Sequence, residues 1–306
     1  MDYNFFFEEI QNKYNYDEKI ITALEKIVPK VVSYYGLKYR TLIEEALLNC
    51  LIIYCNSKET INIVISREKQ IDIKKDKSLI GNDLSSLGGV YYSYPIIGYD
   101  TNINSYVING IKRYIIISHT HNLDSAMGIA VLTHNICHLI KSYMKEYKLV
   151  NNTLIRRSGL SFEQYLIETK DTGIVIDLLK DENIGLEEGI NSYDEEEIVK
   201  MVLDDNYETF DYKNTKYIGL CLKDRLNLKN VINKAEIDGD VSLFVQKYGI
   251  HLFKDLSILA DQSCELEDKK NNYEITKEEL NFINSEINYL IPKIVDNMTI
   301  YLNKSY

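Results

Sequence analysis

The chain has 306 residues, of which 45% are hydrophobic and 26% are charged, so it can bury a sizeable core. Only 3 prolines and 14 glycines are present, which argues against long disordered linkers and collagen-like sequence. The formal net charge is −11, and the sequence contains no cluster of Lys or Arg residues. A surface of this sign repels nucleic-acid phosphates and anionic lipids, so we expect no nucleic-acid partner and no membrane partner.

The N-terminus and the cysteines indicate the cellular compartment. Residues 1–10, MDYNFFFEEI, have an acidic lead and no long apolar stretch, and no later segment reaches the length of a membrane span. The five cysteines are an odd number without a CxxC pair, so we expect reduced and mostly buried thiols. These features predict a cytoplasmic protein.

The first third of the chain is predicted to be helical. Apolar residues recur at three- and four-residue intervals over residues 17–35 and 39–54. Pro29 stands inside the first of these segments, where we expect it to kink or split the helix. Together these helices form a predicted N-terminal helical segment, residues 1–58.

From about residue 60 the apolar pattern becomes that of strands. Residues 60–66 alternate like a strand, and residues 90–97 are rich in β-forming residues. Asn109 and Gly110, which stand between two such runs, predict a β-hairpin because Asn-Gly supplies the two positive φ angles of a type I′ turn.

A long apolar helix is expected next, over about residues 123–147. Asn122 or Asp124 is its predicted N-cap, because a short polar side chain there can accept a hydrogen bond from the first turn. Short strands are expected after it, at residues 153–158 and 164–169.

A second informative helix is predicted over residues 186–203, followed by a polar boundary at 204–216. Beyond this boundary, helices are expected near 227–236, 241–260 and 277–303.

These elements predict an α+β fold in three regions. After the N-terminal segment we expect a core at residues 59–204, a mixed lobe in which antiparallel strands accompany one buried helix. Residues 205–306 form a predicted helical C-terminal lobe.

His134 and His138 are the residues that first indicate chemistry. They are four positions apart on a predicted helix, a spacing that places two imidazoles on one face, one turn apart. Because the surrounding sequence, AVLTHNICHLI, is apolar, both rings project from a mostly buried helix and need partners there. Zinc takes neutral histidine nitrogens readily, so the pair indicates a shared Zn²⁺ ion. Two histidines that are simply satisfied in the core are the alternative.

The segment LEEGINSY, residues 186–193, completes a resemblance to the gluzincins, the HExxH zinc metallopeptidases whose third ligand is a downstream glutamate. Members of the aminopeptidase branch commonly carry Leu-Asn-Glu-Gly on that later helix, with a tyrosine five residues after the glutamate. Here Glu187 replaces the asparagine, and Glu188 and Tyr193 occupy the other two informative positions. The resemblance implies a zincin-like fold, with the metal on His134, His138 and Glu188. It covers only two short helical elements of the chain.

The same resemblance suggests roles for the neighbours of Glu188. Tyr193 is a candidate to stabilise a tetrahedral oxyanion, with core packing as its equal alternative. Glu187 is kept as the alternative third ligand, and as an ordinary acidic residue at a helix start.

Asn135 departs from the family pattern. The family has a glutamate at this position, which takes a proton from zinc-bound water and delivers it to the leaving amine. An amide cannot do this near pH 7, so we expect metal binding without efficient turnover. Asn135 is an engineered change, a natural pseudoenzyme feature, or a loss offset by another carboxylate. The acidic run 194–197 is near in sequence, but we expect most of it to form a solvated helix face.

The remaining candidates are interpreted conservatively. His119 and His121 are expected to be exposed at a turn and His251 to be packed in a helix, while Arg156 and Arg157 are expected at the surface. Within the metal motif, Cys137 is expected in the core, because it projects away from the two histidines.

The sequence therefore predicts a zinc metallopeptidase that acts on a peptide or protein substrate and that Asn135 inactivates or strongly impairs. One alternative is a non-catalytic, zinc-stabilised pseudopeptidase that binds a peptide or protein partner. A helical regulatory or structural protein without metal is the other alternative.

Overall fold

The computed structural model describes residues 2–55, 72–73, 88–170, 173–203, 206–209, 212–270 and 276–303. Within these residues the protein is a mixed α+β structure with two small sheets and a helical C-terminal part, which confirms the predicted fold class. The predicted strand at 60–66 lies outside the described residues. The chain forms two compact units. The first contains residues 1–156, 163–180 and 198–207, and the second contains 157–162, 181–197 and 208–306.

The helices are α1 (Asn4–Tyr14), α2 (Glu18–Tyr35), α3 (Arg40–Leu48), α4 (Ala126–Tyr143), α5 (Ile184–Leu203), α6 (Lys216–Leu220), α7 (Lys229–Asp238), α8 (Ser242–Tyr248), α9 (Ile250–Lys270) and α10 (Lys277–Asn303). A 3₁₀ turn, Leu37–Tyr39, precedes α3, and a π-helical turn, Cys221–Arg225, follows α6. The strands are β1 (Leu51–Cys55), β2 (Asp72–Ile73), β3 (Gly89–Asp100), β4 (Ser105–Ser118), β5 (Tyr147–Val150), β6 (Thr153–Ser158), β7 (Ser161–Lys170) and β8 (Gly173–Glu182).

The N-terminal helices differ from expectation at two places. Pro29 lies inside α2, which continues from Glu18 to Tyr35, so the predicted split is wrong. Burial of apolar side chains on both sides of the proline, Leu24 and Val31 among them, stabilises the helix there. The predicted helix at 39–54 is wrong beyond Leu48, because residues 51–55, LIIYC, form β1. A short apolar run of this kind suits a buried strand as well as a helix, and here sheet pairing decides.

The first sheet has the strand order β1-β4-β3, with β1 parallel and β3 antiparallel to β4. The second sheet has the order β2-β8-β7-β6-β5, in which β2 is parallel to β8 and β5 is antiparallel to β6. The strands predicted at 90–97, 153–158 and 164–169 are confirmed as parts of β3, β6 and β7.

The turn between β3 and β4 lies before the predicted position. Residues 101–104 form it, and Asn104 adopts a φ of 51°, in the left-handed region that asparagine tolerates. Asn109 and Gly110 lie inside β4 instead, and neither has a positive φ. The predicted type I′ hairpin at Asn-Gly is therefore wrong.

Asn109 is the extra residue of a β-bulge. Ile96 pairs with Gly110 and Ile97 pairs with Ile108, so Asn109 has no partner of its own on β3. A β-carbon on Gly98 would lie 2.5 Å from the side-chain amide nitrogen of Asn109, so a larger residue at position 98 would require the exposed Asn109 side chain to move.

A buried carboxylate, Glu146, joins the two sheets within the first unit. Tyr91 donates a hydrogen bond of 2.7 Å to it, Ser93 donates another, and Arg113 contacts its second oxygen at 2.7 Å. Tyr147 of the second sheet donates to the carbonyl of Ser93 at 2.8 Å. The charge of Glu146 is thus satisfied without solvent.

The second unit is helical and has its own apolar core, to which Leu186 and Ile190 of α5 contribute. The helices predicted near 227–236 and 277–303 are confirmed as α7 and α10. The helix predicted at 241–260 is interrupted at Gly249, whose φ of 87° ends α8 before α9 begins. Among the helices of the described segments, none combines the length and apolar character that crossing a membrane requires.

Candidate metal centre

The N-cap of helix α4 lies one residue after Asp124 and three residues after Asn122, the two predicted caps. The hydroxyl of Ser125 accepts a hydrogen bond from the backbone N–H of Gly128 at 3.1 Å, so Ser125 is the N-cap and the predicted caps Asn122 and Asp124 are not. A β-carbon on Gly128 would lie 2.1 Å from the carbonyl oxygen of Asn122. Glycine at this position therefore lets the preceding loop approach the first turn of the helix.

Burial on α4 leaves one side of the helix partly accessible. Leu132, Ile136 and Leu139 are completely buried, whereas His134 and His138 are half-buried. The two imidazoles thus occupy the partly open side of an otherwise buried helix, where a bound ion can also reach a water molecule.

The two imidazoles direct the same ring atom toward each other. The Nε2 atoms of His134 and His138 are 3.1 Å apart, and the ring centroids are 4.8 Å apart. Two nitrogens bound to one tetrahedral zinc at 2.0–2.1 Å are separated by about 3.3 Å. The same distance is that of a hydrogen bond between the two rings, so the pair fits both two metal ligands and the alternative of two histidines that satisfy each other.

Glu188 is the third member of the group. It lies in the first half of α5, and its side chain is half-buried like the two histidines. Glu188 belongs to the second unit and the two histidines belong to the first, so its place as third ligand is what the resemblance to gluzincins implies. Two neutral nitrogens and one carboxylate oxygen form a donor set that zinc uses in catalytic sites, so the residues fit this metal.

The carboxylate of Glu188 also influences its neighbours in the second unit. Burial raises the pKa of the Tyr212 phenol, and the negative charge of Glu188 raises it further. For the Cys264 thiol, burial and then the charges of Asp268 and Glu188 raise the pKa. Glu188 therefore lies close enough to Tyr212 and Cys264 for its charge to act on both groups.

Glu187, the alternative third ligand, has a different role. Its side chain is buried, and its Oε2 accepts a hydrogen bond of 2.7 Å from the backbone N–H of Leu160. Gly159 in the same turn has a φ of 54°, and a β-carbon there would lie 2.0 Å from the Glu187 carboxylate. Glu187 therefore holds the turn between β6 and β7.

Asn135 is directed toward its own helix. Its side chain is 3% exposed, and its Nδ2 donates a hydrogen bond of 2.8 Å to the carbonyl oxygen of Val131. A β-carbon on Gly89 would lie 3.3 Å from the same nitrogen, so β3 also packs against this amide. The Asn135 side chain thus has a satisfied donor and no group that can take up a proton.

Tyr193 lies on a different face of α5 from Glu188. Five residues along an α-helix correspond to about 140° of rotation. The Tyr193 phenol is buried, and its hydrogen bond to the Asp224 carboxylate adds to burial in raising its pKa. Its ring also packs against Gly219, so these contacts support the core-packing alternative, while its oxyanion role stays a prediction.

The acidic run after Tyr193 is buried, and the prediction of a mostly solvated face is wrong. Asp194, Glu195 and Glu196 are 0%, 3% and 7% exposed. Lys223 contacts the two oxygens of Asp194 at 2.6 and 2.7 Å and the carboxylate of Glu236 at 2.8 Å. The run lacked a visible partner in the sequence because Lys223 is far along the chain.

The remaining histidines are not part of the group. His119 is exposed, and its ring lies 4.0 Å from the ring of Tyr54. His121 is half-buried rather than exposed, and its ring lies beside Gly88. His251 is exposed, so its predicted packed position is wrong.

The two arginines contact protein groups, which corrects their predicted surface role. Arg156 forms a half-buried ion pair of 2.9 Å with Glu163. Arg157 donates to the carbonyl oxygens of Glu236 at 2.7 Å and Ile237 at 3.0 Å, and so caps the C-terminal end of α7.

The cysteines agree with expectation. All five are free and buried, and Cys137 has no exposed surface, which confirms its place in the core.

No family model matches this chain, and no curated protein and no solved structure matches it. The resemblance to gluzincins accordingly depends on the residues of this chain alone.

Proposed function

We propose that this protein binds Zn²⁺ through His134, His138 and Glu188, and that it is a zincin-like metallopeptidase of the HExxH type with impaired catalysis. The observation that carries the proposal is the 3.1 Å separation of the Nε2 atoms of His134 and His138, to which the resemblance to gluzincins adds Glu188 as the third ligand. All three side chains are half-buried, and catalytic zinc sites keep a fourth position for water.

Bound zinc would lower the pKa of its water ligand and polarise a substrate carbonyl. The chain must still supply a group that moves a proton to the leaving amine. Asn135 stands at the position of that group, and its amide hydrogen-bonds to Val131. Loss of general acid–base help lowers rates by ~10²–10⁴, so hydrolysis of a peptide or protein substrate is absent or slow.

The second candidate is a zinc-stabilised pseudopeptidase that binds a peptide or protein without cutting it. The observation that favours it is the fit of Asn135, whose buried amide has a hydrogen-bond partner on its own helix. A side chain so well accommodated does not disturb the fold, so binding can persist after catalysis is lost.

Metal analysis of the purified full chain tests the zinc site. We expect about one zinc per chain, bound more than 100-fold more weakly after His134→Ala, His138→Ala or Glu188→Gln, since even outer-shell changes cost 10–100-fold. The exposed His251 supplies the control, because His251→Ala removes an imidazole elsewhere. A parent protein that takes up no zinc, or variants that match the control, would exclude both candidates.

Asn135→Glu separates the two candidates. With a competent site, the reverted protein cleaves members of a broad peptide library, and His134→Ala in the same background abolishes cleavage. A reverted protein that binds zinc normally but cleaves nothing supports the pseudopeptidase.

A further inference from the structure

Lys223, Asp194 and Glu236 form a completely buried group inside the second unit, to which all three residues belong. Each of the three side chains has 0% exposed surface. The lysine Nζ lies 2.6 and 2.7 Å from the two carboxylate oxygens of Asp194 and 2.8 Å from Oε2 of Glu236. One amine nitrogen is therefore held between two carboxyl groups in an interior that excludes bulk water.

The backbone fixes the amine in this position. Lys223 is the middle residue of the π-helical turn Cys221–Arg225, in which the backbone N–H of Leu226 donates to the carbonyl oxygen of Cys221 at 2.9 Å. Single π-helical turns are rare and are frequent at functional sites. The lysine is thus presented by an unusual local geometry as well as being buried.

Burial favours a neutral form of the Lys223–Asp194 pair. Ions in the interior lose their hydration, and one proton that moves from the ammonium to the carboxylate removes two buried charges at once. Burial also lowers the pKa of the neighbouring Lys229 ammonium, although the charge of Asp194 opposes this shift, so this part of the unit is weakly solvated. The proton transfer leaves a nucleophilic amine beside a carboxylic acid.

The distance suits a reaction between the two groups. An amine in contact with both oxygens of a carboxyl group lies about 3–3.5 Å from its carbon, which is the separation of reacting atoms in a near-attack conformer. Groups held in this way reach effective molarities of about 10⁵–10⁸ M, and exclusion of water suppresses the reverse hydrolysis. Rotation of the Asp194 carboxyl group about its Cβ–Cγ bond presents the face of the carbon to the amine.

We propose that Lys223 and Asp194 condense to an intramolecular isopeptide bond, with Glu236 as the group that carries the proton. One ammonium proton passes to the Asp194 carboxylate, and the Nζ lone pair then attacks Cγ, which forms the C–N bond and moves the C=O electron pair onto oxygen. Glu236 takes a second proton from the nitrogen and returns it to the hydroxyl group of the tetrahedral intermediate. The C–O bond breaks, one water molecule leaves, and Glu236 ends ionised as it began.

The ion pair between Lys216 and Glu196 supplies a comparison within the same chain. These two groups are 2.5 Å apart, but their side chains are 20% and 9% exposed. Lys216 also has a single carboxylate partner among the described residues, so a second carboxylate that could carry a proton is missing there. We expect no bond at this pair, which keeps its charges in contact with solvent.

The test is the intact mass of the purified full chain, measured after denaturation. We expect a mass that is lower than that of the sequence by one water molecule. Tandem mass spectra of a protease digest should show a branched peptide that joins Lys223 to Asp194. Glu236→Gln removes the proton carrier and should keep the full mass, whereas the control Glu265→Gln, at an exposed position, should lose water as the parent does.

Asp194→Asn gives a second readout. An amide at this position reacts with the same amine by releasing ammonia, so this variant should be lighter than its own sequence by one ammonia molecule instead of one water molecule. The variant also decides the matter if Glu236→Gln shows no cooperative denaturation and has therefore failed to fold. Loss of ammonia supports the proposal, and a full mass overturns it.

The remaining outcomes are also decisive. A parent that stays at the full sequence mass after prolonged incubation overturns the proposal, as does a branched peptide that joins Lys223 to Glu236 or Lys216 to Glu196. A folded Glu236→Gln that still loses water overturns the role of Glu236. When formed, the bond links positions 29 residues apart and restricts the unfolded chain, as a disulfide does.

Discussion

The Nδ2 of Asn135 donates a 2.8 Å hydrogen bond to the carbonyl oxygen of Val131, one turn earlier on the same helix. The residue that follows His134, the first of the proposed metal ligands, is thus hydrogen-bonded to the backbone of α4. This relationship explains how the chain accommodates an amide where a peptidase needs a carboxylate, and it makes the reverse substitution costly.

We expect Asn135→Glu to lower the free energy of unfolding of the metal-free protein by about 1–3 kcal/mol, because a carboxylate cannot donate to the Val131 carbonyl in this buried position. Urea denaturation measures the change. Asn135→Gln retains an amide donor and serves as the control. A reverted protein as stable as the parent would show that the Val131 hydrogen bond contributes little.

Substitutions of the neighbouring residues Glu187 and Glu188 on α5 should have opposite effects on stability and on zinc affinity. Glu187→Gln should destabilise the fold by about 1–3 kcal/mol, because the buried carboxylate accepts from the Leu160 N–H, and should leave zinc affinity nearly unchanged. Glu188→Gln should weaken zinc binding and leave the metal-free stability nearly unchanged. Urea denaturation and chelator competition on both variants check this, and reversed results would identify Glu187 as the ligand.

Lys223 should be among the most sensitive positions in the second unit. Lys223→Met leaves the carboxylates of Asp194 and Glu236 buried together without their cation, which we expect to cost about 3–5 kcal/mol. The exposed Lys254 supplies the control substitution, Lys254→Met. Equal denaturation midpoints for the two variants would contradict the importance of this ion cluster.

Asp261 gives a pH dependence with a defined sign. Burial raises its pKa above 3.8, so between 3.8 and the raised value the folded state binds more protons than the unfolded state. Its contribution to stability therefore falls as the pH rises through this window. Asp261→Asn, which retains an acceptor for the Gly185 N–H, should be more stable than the parent at pH 7 and lose this advantage in acid. Denaturation midpoints of Asp261→Asn and the parent across this pH range check the prediction. An absent or inverted trend would contradict it.

The features that the sequence predicted best are those that depend on a single helix. The histidine spacing on α4 and the course of α5 follow from local periodicity, and both helices are present in the structure. The same reasoning placed Cys137 in the core, since its neighbours on α4 fix the direction in which it projects.

The features that depend on residues far apart in the sequence were not predicted. Asn109 and Gly110 carry a strong turn signal, yet strand register makes them a bulge. The burial of Asp194 depends on Lys223, which lies 29 residues later and leaves no local pattern.

Helix α5 presents different side chains for different tasks: Glu187 holds a turn, Tyr193 packs against Gly219, and Asp194 pairs with Lys223. A one-residue insertion or deletion in this helix would rotate everything beyond it by about 100° relative to what precedes it. All these side chains could not then meet their partners together. Changes of length in this region are therefore excluded, and the segment can diverge only by substitution.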